Sequence, residues 1–461
     1  MEHKGIGATV QRQREYFASG KTKEISFRTR QLKTLADVVE GNTRQILKAL
    51  KDDMNKPPFE AYIAEITQVL GEIDLALKRI NSWARPERVR TPSFLFLASS
   101  HIYSEPLGVV LIVGPWNYPF DLVLAPLIGA IAAGNCSIIK PSEISPNTSS
   151  LIARMVTDNF DPSFLAVVEG GAEETSVLLS EKLDHIFYTG GGAVARIMME
   201  AAAKNLTPVT LELGGKSPCI VEGDVDPEKA ARRIAWGKFF NAGQTCIAPD
   251  YLLVNRVIKR ELLENIKKWI LKFYGEEPSG SPDYARIISD RHFTRLVNLL
   301  KGGNITAGGQ ADPETRYIAP TIIENVSPDD PIMQEEIFGP ILPIIEYEEL
   351  RDAISFVQSR EKPLALYFFS NNKSDQERIL RETTSGGGCI NDTLVHFSNG
   401  LLPFGGVGAS GFGKYHGKAT FDTFSNRRSI VNRSFMFDIY LRYPPYRNTL
   451  KFVQKFIKYV T

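Results

Sequence analysis

The sequence predicts an α/β fold with two parallel sheets, preceded by a helical segment. Three observations carry this. Short apolar runs alternate with helical stretches of 10 to 15 residues from about 108 to 213, the signature of βαβ units. A second set of the same kind runs from about 228 to 391. The stretch 108–113 (GVVLIV) is apolar throughout, as a strand covered on both faces requires.

The elements follow in order. Residues 5–84 read as helices, with apolar residues at helical spacing in Leu32, Leu35, Val38 and Val39 and again in Ile66, Val69, Leu70, Ile73 and Leu77. Lys56-Pro57-Pro58 breaks the run. Residues 86–105 hold prolines and aromatics in short pieces and read as a protruding hairpin. Then come a strand at 108–113, a helix at 120–133 and a strand at 137–140. A helix at 146–159, a strand at 164–168 and a helix at 172–181 continue the pattern, followed by a strand at 186–188, a helix at 193–204 and a strand at 209–213. The uncharged stretch 122–139 contains Pro126 and a Gly134-Asn135 turn, so it reads as a buried helix and strand, not a membrane span.

Composition narrows the function. The 461 residues carry 54 Lys+Arg against 53 Asp+Glu, a formal charge of +1, which argues against nucleic-acid binding through bulk charge. Four cysteines, none in CxxC spacing, give neither a disulfide scaffold nor a zinc site. No metal is expected. The polar N-terminus shows no signal peptide, and a reduced cytoplasmic setting is expected.

Several residues stand where chemistry is done. Cys246 follows a helix over 226–240 in the polar, glycine-containing stretch NAGQTC, a setting for an exposed thiol. Cys136, Cys219 and Cys389 lie in strand-like stretches and read as inert. Glu212 lies in an apolar strand before Gly214-Gly215; it is either a general base of raised pKa or a partner of Lys216 or another cation. Asn117 follows the 108–113 strand and is either a turn residue or an amide donor to an oxyanion. Gly190-Gly191-Gly192 joins a strand to a helix, a setting for phosphate. Lys140 and Glu143 follow another strand end and could serve a phosphate and ribose hydroxyls.

Together these pieces resemble the aldehyde dehydrogenase superfamily. The matching motifs are PWNYP (115–119), KPSE (140–143), FYTGG (187–191), LELGGKSP (211–218), GQTC (243–246), EEIFGP (335–340) and PFGGVGASGFG (403–413), in the family's order. The block 415–425 looks like the class 3 and fatty-aldehyde branch.

The resemblance implies NAD(P)-dependent oxidation of an aldehyde to an acid. It implies a Rossmann-like cofactor domain (1–85 and 106–212), a catalytic domain (213–418), an oligomerisation element (86–105 with a 419–434 strand) and a C-terminal tail (435–461). Cys246 matches the nucleophile, Glu212 the general base and Asn117 the oxyanion amide. Lys140 and Glu143 match adenosine-ribose contacts; Thr189, Gly190, Gly191 and Leu213 lie along the cofactor's path; Glu336 matches the nicotinamide-ribose ligand, with Phe338 packed nearby. Gly191 departs from the pattern, since many relatives carry Ser there. Tyr118, Trp236, Phe240, Phe397 and Phe404 match positions lining an aldehyde tunnel, which implies an apolar aldehyde: long aliphatic, aromatic or polyene. A carboxylate at Glu143 favours NAD, with NADP tolerated. A homodimer is implied. The thiol is expected to be activated by a helix N-terminus or a nearby cation.

Two rival readings are a thiol hydrolase using Cys246 alone and a non-catalytic binding protein on the same fold. The tail places Leu450, Val453, Phe456, Ile457 and Val460 on one helical face with Lys451, Lys455 and Lys458 elsewhere. That face either packs on the protein itself or a partner subunit, or makes peripheral contact with an anionic membrane.

Overall fold

The computed structural model describes residues 3–436 and, beyond them, 438, 440–446, 450, 453 and 454. The helix read over 447–460 lies largely outside the described residues.

Helices His3–Ala18, Ile25–Gly41, Thr43–Met54 and Thr67–Trp83 build the N-terminal segment. Leu32, Leu35, Val39, Ile66, Val69 and Ile73 are buried, so the helical spacing of apolar residues does face the core. The break at 56–58 leads into a short helix, Pro58–Ala61, and a wide turn, Tyr62–Ile66.

A six-stranded sheet has the order Gly411–Phe412, Val209–Glu212, His185–Thr189, Val109–Val113, Cys136–Lys140, Leu165–Val167. All pairs are parallel except that of Gly411–Phe412 with Val209–Glu212. The chain leaves Val109–Val113 toward one side and returns on the other at His185–Thr189. The crevice at the carboxyl ends of these two strands is where open α/β sheets take ligands. Helix Asp121–Ala133 is buried at every residue and ends at Gly134, whose φ of 95° lets the chain turn into strand Cys136–Lys140. The uncharged stretch is thus a core helix and a core strand, and no described helix is long and apolar enough to cross a membrane.

A seven-stranded sheet has the order Asn304–Ala307, Thr321–Glu324, Ile341–Tyr347, Tyr251–Asn255, Pro218–Val221, Ala365–Phe369, Gly387–Ile390, with only the first strand antiparallel. Residues 86–105 form the expected hairpin: Glu87–Val89 pairs antiparallel with Ala98–Pro106, which pairs in turn with Ser425–Arg433. The strand expected over 419–434 begins only at Ser425, because Gly417–Thr423 is a helix packed against Asp121–Ala133. Gly411–Phe412 returns to the first sheet beside Glu212, which brings the glycine-rich 403–413 stretch into the site.

Candidate active site

The cysteine loop begins where helix Pro227–Phe239 ends. Asp226 starts that helix by accepting from the N–H groups of Glu228 and Lys229, with Pro227 in the first turn. Beyond it, Asn241, Ala242 and Gly243 are left-handed in succession, with φ of 52°, 51° and 73°. A Cβ at Gly243 would lie 2.2 Å from the Gly339 carbonyl oxygen, so both conformation and space require glycine. Such a bend persists only when its surroundings hold it. Here Gln244 donates to the carbonyls of Asn241 (3.1 Å) and Arg286 (3.0 Å) and accepts from Ile288 N–H (3.0 Å). Asn241 N–H donates to Glu60 Oε2 (3.0 Å). The first two letters of the GQTC motif are therefore scaffold that presents Cys246.

Asn117 is tied to the same scaffold. Its Nδ2 donates to the Gln244 carbonyl (3.1 Å), which leaves one amide hydrogen free for the crevice. Its own carbonyl accepts from Asn241 Nδ2 (3.1 Å) and Lys56 Nζ (2.9 Å). Lys56 is fully buried and pairs with fully buried Glu65 at 2.5 Å, and Glu65 also accepts from Phe120 N–H (2.9 Å). A buried pair of this kind survives because further hydrogen bonds satisfy both charges.

Glu212 ends strand Val209–Glu212, 3 % exposed, and neither carboxylate oxygen has a hydrogen-bond partner. Burial raises its pKa well above the usual carboxylate range, and the Lys414 ammonium partly opposes this. The pairing with Lys216 does not occur: Lys216 pairs with Asp250 and donates to the carbonyls of Ile332 (2.8 Å) and Glu335 (2.8 Å). Cys246 also departs from expectation. Burial, then Glu336 and Glu212, push its thiol up, while the N–H groups of Cys246 and Ile247 favour the thiolate less strongly. Burial and the two carboxylates facing the sulfur thus both disfavour the thiolate.

Cys246 lines two cavities. The first, of about 340 Å³, opens at the crevice between the two central strands and is also lined by Asn117, Thr189, Gly190, Gly191, Glu212, Leu213, Glu336 and Phe338. Thr189 Oγ1 is buried without a partner, and no atom lies within 4 Å of where a Gly191 Cβ would be. Helix Gly192–Asn205 presents its first N–H groups at this point. The Glu336 carboxylate, pushed up to about 8 by burial and Asp250, presses on Gly214, where a Cβ would lie 2.1 Å from Oε2. Phe338 meets Trp116 edge-on at 5.1 Å. An orphan hydroxyl, an open glycine cradle and a helix start fit a dinucleotide. Lys140 and Glu143 do not line this cavity; they pair with each other at 3.1 Å beyond the neighbouring strand end.

The second cavity, of about 250 Å³, is apolar and lined by Tyr118, Trp236, Phe240 and Phe397 among others. Phe404 does not line it. Its ring is buried behind Phe397, edge-on at 5.0 Å, and packs on Tyr415 and His416. Helix residues Ile63, Ala64, Thr67 and Gln68 complete one wall, which sequence reading missed. It also missed His292 and Arg295 in the first cavity, and the Lys56–Glu65 pair. The break at 56–58 was the one visible sign of the last. Cys136 and Cys219 are buried in strands as expected, and Cys389, pushed up to about 11 by burial, lies 3.4 Å from His396 Nδ1.

Comparison with known proteins gives the family and the fold. The model of the aldehyde dehydrogenase family matches residues 2–430. The chain is 50% identical over 442 residues to a dimeric NADP-preferring aldehyde dehydrogenase of Mus musculus, covering 95% of this chain and 98% of the relative. It is 47% identical over 445 residues to the 4,4'-diaponeurosporen-aldehyde dehydrogenase of Staphylococcus aureus (strain NCTC 8325 / PS 47), covering 96% and 97%. A solved substrate-bound state of Staphylococcus aureus AldH superposes with a TM-score of 0.95 at 46% identity, covering 98% of this chain and 99% of that one.

Proposed function

The chain belongs to the aldehyde dehydrogenase family, and from that premise we propose that it oxidises apolar aldehydes to carboxylic acids through a thioester on Cys246. The observation that carries the proposal is the position of Cys246 at the junction of an apolar cavity and a more polar one holding Asn117 and an unpartnered Glu212.

An apolar aldehyde enters along Tyr118, Trp236, Phe240 and Phe397. Cys246 attacks its carbonyl carbon. The thiol is protonated beforehand, so its proton passes to a carboxylate that faces it, and Glu212 is the unpaired one. The Asn117 amide and the Cys246 N–H hold the oxyanion, each such donor being worth about 10²–10³ in rate. Thr189, Gly190, Gly191, Leu213, Glu336 and Phe338 would hold NAD(P), which would supply the acceptor for the aldehyde's hydride. Glu212, once ionised again, takes a proton from the water that hydrolyses the thioester. Beyond that cavity, at the next strand end, the Glu143 carboxylate would accept from the adenosine ribose hydroxyls of NAD, while the Lys140 ammonium paired with it leaves NADP tolerated.

The substrate class follows from the walls of the second cavity, and the Staphylococcus aureus relative named for a polyene aldehyde supports it. Strand Ser425–Arg433 has one edge without a partner strand among the described residues, and the Mus musculus relative is described as dimeric. Both support a homodimer joined through that edge. A thiol hydrolase would have no use for the dinucleotide cradle.

The test is Cys246→Ala with NAD and a series of aliphatic aldehydes of rising length. Oxidation is abolished while NAD still binds. Turnover near that of the wild type would refute the assignment.

A further inference from the structure

Oxidation of an aldehyde to the neutral acid by NAD(P) and water releases one proton in each turnover, before the acid itself ionises. In this site that proton starts on Cys246 or on water, and the acceptor facing both is Glu212. Its carboxylate is 3 % exposed and has no hydrogen-bond partner, so it offers the proton no direct route outward. The buried environment also favours the protonated, inactive form of a general base.

Gly405 is the point where this carboxylate meets a second charge. A Cβ built on Gly405 would lie 2.7 Å from Glu212 Oε1 and 3.0 Å from Lys414 Cδ. The two side chains therefore converge on the same small gap, and the gap exists because residue 405 is glycine, at φ 151°. Lys414 reaches it from the bridge that pairs Phe404 with Tyr415. Its ammonium is caged by carbonyl oxygens: it donates to those of Gly405, Gly386 (3.3 Å) and Gly406 (3.4 Å). No carboxylate is paired with it among the described residues, and the side chain is partly exposed. Lys414 thus spans from the edge of the Glu212 pocket toward solvent.

We propose that Lys414 is a positioning residue for Glu212: across the gap left by Gly405, its ammonium holds the buried carboxylate ionised and so favours loss of the released proton to solvent. When Cys246 attacks, a C–S bond forms and the thiol proton moves to Glu212. Loss of that proton to solvent, favoured by the ammonium, regenerates the base. When water then adds to the thioester, a C–O bond forms, the C–S bond breaks, and the proton taken from water by Glu212 returns to sulfur. Lys414 is the cation that acts on Glu212, whereas burial disfavours ionisation of Cys246 and Tyr415, which also feel the Glu212 carboxylate. The inference rests on the proposed roles of Cys246 and Glu212.

The test uses the full chain with NAD and hexanal. Lys414→Gln keeps a donor for the carbonyl cage and removes the charge; Lys414→Arg keeps the charge. Two readouts are taken from pH 6 to 9: kcat, and the fraction of acylated Cys246 by intact mass after acid quench. In Lys414→Gln the acidic limb of kcat moves up by about one unit, the shift a nearby opposite charge produces. Turnover below the limb falls roughly tenfold and recovers at alkaline pH, and acyl-enzyme accumulates. Lys414→Arg keeps the wild-type profile, and KM for NAD is unchanged in both. An unmoved acidic limb in Lys414→Gln overturns the proposal. So does an equal loss at every pH, or a profile for Lys414→Arg that matches Lys414→Gln. If instead the wild type forms no acyl-enzyme and Cys246→Ala is as active, the failure lies in the proposed function.

Discussion

Replacing Glu212 by Gln separates its chemical role from its cost to the fold. Neither oxygen of the wild-type carboxylate makes a hydrogen bond, so the change breaks no contact, and Gln has nearly the same shape. General base catalysis typically contributes about 10²–10⁴, so turnover falls by that factor, about 2.7–5.4 kcal/mol in barrier. Glu212 takes the thiol proton before hydride transfer and the water proton after it, so a burst of NADH persists but is slowed, with little turnover afterwards. Stability moves the other way. The folded carboxyl has its pKa raised by burial above the ordinary 4.5. Its contribution is therefore full below the unfolded value and is lost as pH rises toward the folded one. Gln is neutral throughout and escapes that loss. The variant matches the wild type near pH 4 and gains about 1.4 kcal/mol per pH unit above it, until the folded carboxyl ionises. Stopped-flow absorbance at 340 nm and urea unfolding at pH 5 and 7.5 measure the two effects. Unchanged steady-state turnover between pH 6 and 9 would make Glu212 purely structural. A variant less stable than the wild type at pH 7.5 would refute the account of its burial.

Two further outcomes follow from the scaffold and the tail. Gly243→Ala forces a Cβ to 2.2 Å from the Gly339 carbonyl at a φ of 73°, so the cysteine loop must shift, at a cost of at least about 1–3 kcal/mol. A lowered melting temperature together with slower alkylation of Cys246 checks this, and a wild-type melt would contradict it. Deleting residues 446–461 tests the tail: salt-sensitive sedimentation with anionic liposomes that disappears on deletion marks a membrane contact, and no binding at low salt rules it out.

The sequence by itself determined the parallel strands and the helices of the first sheet almost to the residue, because most of the apolar runs lie between glycine-, proline- or asparagine-bearing turns. Helix 146–159 formed as read, and the strands read from apolar runs at 108–113 and 186–188 formed at Val109–Val113 and His185–Thr189. Candidate residues at strand ends, Asn117, Glu212 and Gly190-Gly191, were legible for the same reason: in a parallel sheet the carboxyl ends gather in one crevice. Tertiary structure decided what no local pattern encodes. Lys56 reaches the Asn117 carbonyl from 61 positions away, so its part in the scaffold had no sequence signal beyond the proline break beside it. Phe404 shares the aromatic character of the four tunnel residues, yet packs behind Phe397, since which face a loop ring turns depends on what the rest of the chain places there. The strand expected from 419 begins at Ser425 because helix Gly417–Thr423 finds a buried face on Asp121–Ala133. The sense of the Cys246 shift was reversed as well. A residue's charge state depends on burial and on charges brought near it by folding, and here those were two carboxylates from distant segments and, across a glycine gap, Lys414 beside Glu212.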